Sequence, residues 1–400
     1  MNILIVSSEY VPHVGGKSTH IIDLIEGLKK NHVNVFLISR TTFGKKREYL
    51  IKMILSPIRV LNKDLFDYLH SYVRNRVLNS MVEKFCVEYQ VDLISIQEAA
   101  TAHAIKKTIQ KHRIKTILTM HTYFGLEKTM DRKMDKRKQK YYEKVLAFEL
   151  EALTIVSGII TVDQRIRQHI IDNILNSDAR VITPDKVKMI PNFTNIGLYN
   201  IPSNEEKTYY RNKYGINPDY FVICCVRRLV EKNGVINAVK AMSKIKDSNV
   251  VLLIAGDGIQ KKLIKEFISN NKLAEKVILL GSLNGDKVRE LYMLSDISIV
   301  PSITVNGLQE ATSISAIESM ACGVPTIASN IGGLKQLIKN HETGILVDEG
   351  NIEQIANAII KLKNNTEYYS HIQNNSREYI ELNHSNIKAA KEYYDAFVSF

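Results

Sequence analysis

The sequence predicts an α/β fold built from two doubly wound parallel domains that face one another across a cleft. Three observations carry that expectation. Short apolar, β-rich runs alternate with segments of helical period, the pattern of a parallel sheet covered by helices on both faces. The alternation restarts after Lys188-Met189-Ile190-Pro191-Asn192. The chain has 400 residues, more than one hydrophobic core commonly spans.

Taken in order, residues 3–7 read as a buried strand, and Ile21, Ile22, Leu24, Ile25 and Leu28 then recur at helical spacing. Residues 33–39 form the next strand, followed by 93–96, 116–120 and 158–162. In the second half the strands fall at 220–226, 250–255, 277–280, 297–300 and 326–328, with helices at 234–245, 258–270 and 286–295. Residues 193–204 carry Asn, Gly, Pro and Ser and read as the linker, which sets the domains at 1–192 and 193–384. Residues 385–400, with Tyr393, Tyr394, Phe397 and Phe400, read as an amphipathic helix that packs back on the first domain.

Composition narrows the class. With 45% hydrophobic and 24% charged residues the chain reads as globular. No window approaches the roughly 18 apolar residues of a membrane span, and the N-terminus lacks the basic region of a signal peptide. The four cysteines, Cys86, Cys224, Cys225 and Cys322, match no metal-ligand spacing and suggest no disulfide framework. These features describe a reducing, cytoplasmic protein. Of the net charge of +12, residues 1–200 carry +11. The excess lies in 45–76, 106–115 and 128–140. In the first of these, Ile51, Ile54, Leu55, Ile58 and Leu61 recur among Lys45, Lys46, Arg47, Lys52, Arg59 and Lys63. That segment is either a surface helix that meets anionic lipid at the inner face of a membrane or a core-facing helix with a solvated basic side. Nucleic acid is not an expected partner, because the basic segments lack regularly interleaved aromatics and a recognition motif.

The loops hold the chemistry. Glu310 and Glu318 are separated by seven residues in Gln309-Glu310-Ala311-Thr312-Ser313-Ile314-Ser315-Ala316-Ile317-Glu318. Thr312 and Ser313 are good N-cap types, so Glu310 falls in the loop before a helix and Glu318 about two turns along it. A helix N-terminus attracts anions, and carboxylates accept from sugar hydroxyls; together they suggest a nucleotide-sugar pocket. The alternative is an amphipathic helix with two solvated glutamates. Gly15-Gly16 lets backbone approach a ligand ahead of a helix, or simply makes a tight turn. Val11 stands where a nucleoside triphosphate loop needs Gly. No Gly-x-Gly-x-x-Gly occurs, and Arg40 ends the second strand where a dinucleotide site needs an acid. His121 follows the strand 116–120, at the end where such sheets bind ligands. Arg227-Arg228-Leu229-Val230-Glu231-Lys232-Asn233-Gly234 leaves the strand ending at Val226, with cations suited to a diphosphate. Gly256-Asp257-Gly258 closes the next strand. No Asp-x-Asp is present to hold a metal-bridged diphosphate, so no metal and no cofactor beyond the sugar nucleotide is expected.

Together these segments resemble glycosyltransferase family 4, retaining enzymes of the GT-B architecture with two Rossmann-like domains. The resemblance is strongest from Val226 to Gly333. Arg228-Leu229-Val230-Glu231-Lys232-Asn233-Gly234, Ile254-Ala255-Gly256-Asp257-Gly258, Leu291-Tyr292-Met293-Leu294-Ser295-Asp296, Pro301-Ser302, Glu310 through Pro325 and Asn330-Ile331-Gly332-Gly333 follow the family's order. Gly15-Gly16, His121 and Ile190-Pro191-Asn192 are looser matches. The resemblance implies that Arg228 and Lys232 clamp the diphosphate and Glu310 binds the donor sugar's hydroxyls. It also implies that Glu318 binds the ribose, that Gly16 lies against the phosphates and that His121 lies near the transferred sugar. Arg227 departs from the family by replacing a common Gly, and Asn233 stands where a Lys often precedes the Gly.

The activity so implied moves a hexosyl unit from a nucleoside diphosphate sugar, such as a UDP-sugar, to a glycan or lipid-linked hydroxyl in glycan, polysaccharide or glycolipid biosynthesis. A nucleotide-sugar epimerase of the same layout and a catalytically inactive partner subunit are the competing readings.

Overall fold

The protein is described from a computed structural model covering residues 1–13, 15–61, 63–123, 136–175 and 183–400. Part of the basic segment 128–140 therefore lies outside the described residues. The chain falls into two compact units. The first comprises residues 1–13, 17–191 and 389–400, and the second residues 14–16 and 192–388.

The first unit carries six parallel strands: β1 (Asn2–Val6), β2 (Asn34–Ile38), β3 (Leu93–Ile96), β4 (Lys115–Met120), β5 (Gly158–Thr161) and β6 (Val187–Met189). Their order is β2-β1-β3-β4-β5-β6. Ile3, Leu4, Ile5 and Val6 are all fully buried, which is why β1 is an unbroken apolar run rather than an alternating one: helices cover both faces of the sheet. Chain order reverses between β1 and β3, so the crevice beyond their carboxyl ends is the place where such a sheet binds ligands.

In the helix Lys45–Leu61, Ile51, Leu55 and Ile58 are half-buried. Ile54 is 70% exposed, and Tyr49, Leu50 and Met53 are exposed beside it. Among the described residues no helix is long and apolar enough to cross a membrane.

The second unit holds β7 (Phe221–Val226), β8 (Val250–Ala255), β9 (Val277–Gly281), β10 (Ile297–Val300), β11 (Thr326–Ser329) and β12 (Ile345–Val347), in the order β12-β11-β10-β7-β8-β9. In chain numbering of this unit alone that is 3-2-1-4-5-6 read backwards, with the switch point between β7 and β10. Alternate residues of β7 feed two cores. Ile223 and Cys225 join one, with the helix Val235–Met242. Val222 and Cys224 join the other, with Ile317, Met320 and Ala321 from the helix Ile314–Ala321. The four cysteines are free and buried. Burial pushes the Cys224 thiol up to about 11 and the Cys225 thiol to about 12, so both behave as small core side chains.

Candidate functional site

The loops that leave β7 and β10 meet at the switch point of the second sheet. Gly256 has φ +151, and a Cβ there would lie 1.9 Å from the Arg227 carbonyl oxygen. This close approach is why the strand ending at Ala255 must be followed by glycine. Gly234, with φ +60, likewise passes so near the Pro301 carbonyl that a Cβ would sit 1.9 Å from its oxygen. The Ile303 amide donates to the Lys232 carbonyl at 2.9 Å. Together these contacts hold the turn Glu231–Asn233 against the loop after β10.

Arg227 is the hub of the site, a position that reasoning from the sequence left without a role. Its guanidinium donates from one terminal nitrogen to Ser313 Oγ at 2.8 Å. The other terminal nitrogen donates to Asn233 Oδ1 at 2.8 Å and Ser302 Oγ at 2.9 Å. The same nitrogen lies 2.9 Å from Glu310 Oε2, with the two side chains only 8% and 15% exposed. The signal that could have found it is the departure itself: a cation placed directly after a buried strand where the resembled family commonly has Gly.

Glu310 is not a solvated glutamate. Burial by itself raises its carboxyl, yet the charges of Arg227, Lys232 and Arg228 outweigh that and hold it below the usual carboxylate range. Its carbonyl accepts from the Gly333 amide at 2.9 Å, and Gln309 Oε1 accepts from the Gly332 amide at 3.1 Å. The loop is thus anchored on the turn after β11. Glu318 is buried as well, and Tyr292 Oη donates to its Oε2 at 3.2 Å. The helix starts at Ile314 with Ser313 as N-cap, so Glu318 is its fifth residue. That is little more than one turn along, a correction to the two turns expected. The difference arises because Thr312 stays in the loop, its carbonyl accepting from Asn192 Nδ2 at 2.8 Å.

Arg228 is exposed and Lys232 half-buried. Asn233, where a lysine was the commoner expectation, is buried and donates from Nδ2 to the Arg228 carbonyl at 2.8 Å. It shapes the loop from inside. Arg228, Lys232, Gly256, Glu310 and Glu318 all lie in this unit.

Gly15, with φ +149, precedes the helix Gly16–Lys30, and Gly16 opens it. His121, immediately after β4, belongs to the first unit. Its Nε2 lies 3.1 Å from Gln97 Oε1, and the fully buried Gln97 in turn donates from its amide nitrogen to Ser95 Oγ at 3.2 Å. The His20 ring meets His121 edge-on, 4.6 Å between centroids. Burial, with His20 and Lys17 adding to it, holds His121 well below the usual imidazole range. The ring is therefore neutral, and the Gln97 carbonyl oxygen assigns the proton to Nε2. Glu98 was not singled out in the sequence. It is buried beyond β3 and accepts from the Ser8 amide, Ser7 Oγ at 3.1 Å and Thr101 Oγ1 at 2.6 Å. Among the described residues no group of three or more His, Cys, Asp or Glu is placed to hold a metal ion.

A profile of the family described as "Glycosyl transferases group 1" matches residues 206–379, and one described as "Glycosyltransferase Family 4" matches residues 14–197. The chain is a family 4 glycosyltransferase. It is 31% identical over 236 residues, 58% of each chain, to an uncharacterized glycosyltransferase of Methanocaldococcus jannaschii. It is 24% identical to the N-acetyl-alpha-D-glucosaminyl L-malate synthase of Bacillus anthracis, over 96% of this chain and 93% of that one. Among solved structures it is similar to Anabaena HepE in complex with UDP-glucose, with a TM-score of 0.74 at 18% identity and full coverage of both chains. The fold of this family 4 glycosyltransferase is thus of the GT-B type, each unit a six-stranded parallel sheet flanked by helices.

Proposed function

We propose that the chain is a retaining, metal-independent hexosyltransferase. It takes its sugar from a nucleoside diphosphate donor of the UDP-glucose kind and delivers it to a hydroxyl of a glycan or lipid-linked acceptor. One observation carries the reading. At the switch point of the second sheet the cationic loop of Arg228 and Lys232, the buried Glu310 carboxylate and the opening of the helix Ile314–Ala321 converge around Arg227. A diphosphate finds cations and helix amides there, and a sugar finds an ionised carboxylate. The UDP-glucose complex of the Anabaena protein supports the donor class.

In this reaction the bond from the sugar's anomeric carbon to the β-phosphate oxygen breaks. The acceptor oxygen attacks from the same face, and its proton passes to the departing phosphate. Arg228 and Lys232 stabilise the charge gathering on that phosphate, Glu310 orients the sugar, and Glu318 holds the ribose. Catalysis is then positioning and electrostatics, with no covalent intermediate. Lipid-linked acceptors suit the exposed Tyr49, Leu50, Met53 and Ile54 beside Lys52 and Arg59, a face fit for anionic membrane.

The test is a panel of UDP-, GDP- and ADP-sugars with hydroxyl acceptors, the products analysed by proton NMR. The expected result is one nucleotide released per glycoside formed, with the donor's anomeric configuration kept. A product of opposite configuration overturns the retaining assignment. An epimerised sugar makes the chain an epimerase, and no donor-dependent turnover makes it a binding subunit.

A further inference from the structure

We propose that Arg227 is the positioning residue of the donor pocket: it fixes the Glu310 carboxylate in one orientation, so that the pocket discriminates among donor sugars by the configuration of their hydroxyls. This rests on reading Glu310 as the ligand of the donor sugar. Arg227 ties together four segments of its unit. It reaches Asn233 in the diphosphate loop, Ser302 after β10, Ser313 at the N-cap of the helix Ile314–Ala321, and Glu310 itself. The guanidinium nitrogen that meets Glu310 Oε2 is itself held by Asn233 and Ser302, so it fixes that oxygen in place; a lysine ammonium lacks the rigid fork that makes these contacts together. With backbone and side chain both pinned, by the Gly333 amide and by Arg227, Glu310 has little rotational freedom, and a rigid acceptor separates hydroxyl epimers better than a mobile one.

Arg227 Nε supplies an independent observation, since it is buried and has no protein partner among the described residues. Buried donors are rarely left unpaired away from functional sites. The two terminal nitrogens of Arg227 are fully engaged with Ser313, Asn233, Ser302 and Glu310, and Nε alone is left over. The charged groups bearing on Glu310 are Arg227 and Arg228 after β7 and Lys232 in the following turn. Removing Arg227 takes away the strongest of these charges, leaving Lys232 and Arg228 against burial, which favours the protonated acid.

The experiment compares wild type, Glu310→Ala, Arg227→Met and Arg227→Lys with UDP-glucose, its 4-epimer UDP-galactose and UDP-N-acetylglucosamine, measuring kcat, KM and the pH profile of kcat. Arg227→Lys keeps a buried cation and guards against simple failure to fold. The expected result for Arg227→Met is a fall in kcat of about 10-fold or more with donor KM little changed. Its preference between the 4-epimers relaxes by at least ~5-fold, and the acidic limb of its profile moves to higher pH. Arg227→Lys restores the acidic limb but not the preference. If Arg227→Met keeps wild-type kcat, preference and acidic limb while Glu310→Ala is inactive, the positioning role is wrong and the pocket stands. If Glu310→Ala itself turns over normally, it is the reading of the pocket that fails.

Discussion

At the scale of single residues, the site is made of charges that hold one another. Glu310 stays ionised because three cations outweigh its burial, and His121 stays neutral because burial and neighbouring charges disfavour its proton. The second shift is a statement about stability. A histidine whose folded pKa lies below its unfolded value costs nothing above that unfolded value, near ~6.5. Below it the unfolded chain binds a proton that the folded chain refuses, so stability falls as pH drops from about 6.5 towards the folded pKa. His121→Gln should flatten that fall by at most ~1.4 kcal/mol per pH unit, the slope of a single proton. Urea melts at a series of pH values between 7 and 5 check this; an unchanged slope means His121 is not protonation-resistant. The sequence marked Arg228, Lys232, Glu310 and Glu318 through spacing and family order. It did not reveal that Tyr292 donates to Glu318 or that Gln97 Oε1 accepts from His121, because those partners come from separate elements and only the fold joins them.

At the scale of elements, the longer strands were legible, the edge strands β2 and β9 among them, and the two shortest were not. The runs 93–96, 250–255 and 297–300 coincide with β3, β8 and β10. The strands β6 and β12 went unread; each has three residues and lies at the end of its sheet. A three-residue edge strand has one neighbour and too short a run to show a period, so its composition carries little signal. Turns are more tightly specified. Gly256→Ala places a methyl against the Arg227 carbonyl at a φ that L-residues seldom adopt, and it should destabilise the protein by a few kcal/mol, roughly 2–4. A calorimetric melt within a degree of wild type would refute that close approach.

The helix Lys45–Leu61 is the element whose sequence left two readings open: Tyr49 (68%) and Ile54 (70%) are exposed, while Ile51, Leu55 and Ile58 are half-buried. Vesicles containing anionic phospholipid should co-float with the protein, and Ile54→Glu with Tyr49→Glu should abolish the effect. Flotation that is equal with neutral vesicles, or absent, removes the membrane from the account.

At the scale of the molecule, two sheets of different strand order divide the work. The first carries almost all the net charge, and the second carries the buried polar cluster around Arg227. The two-sheet architecture was legible because each unit repeats the alternation of apolar run and amphipathic helix that a parallel sheet demands. Donor identity was not, since a loop's hydroxyl preference is written in side-chain orientation rather than in periodicity. The central claim is that the cationic loop after β7 holds a nucleoside diphosphate while its glycosyl bond breaks. Steady-state kinetics of Arg228→Ala with the best donor measures this most directly. The account predicts a kcat/KM lower by about 100-fold or more with the melting temperature unchanged; a variant that folds as wild type and turns over at the wild-type rate contradicts it.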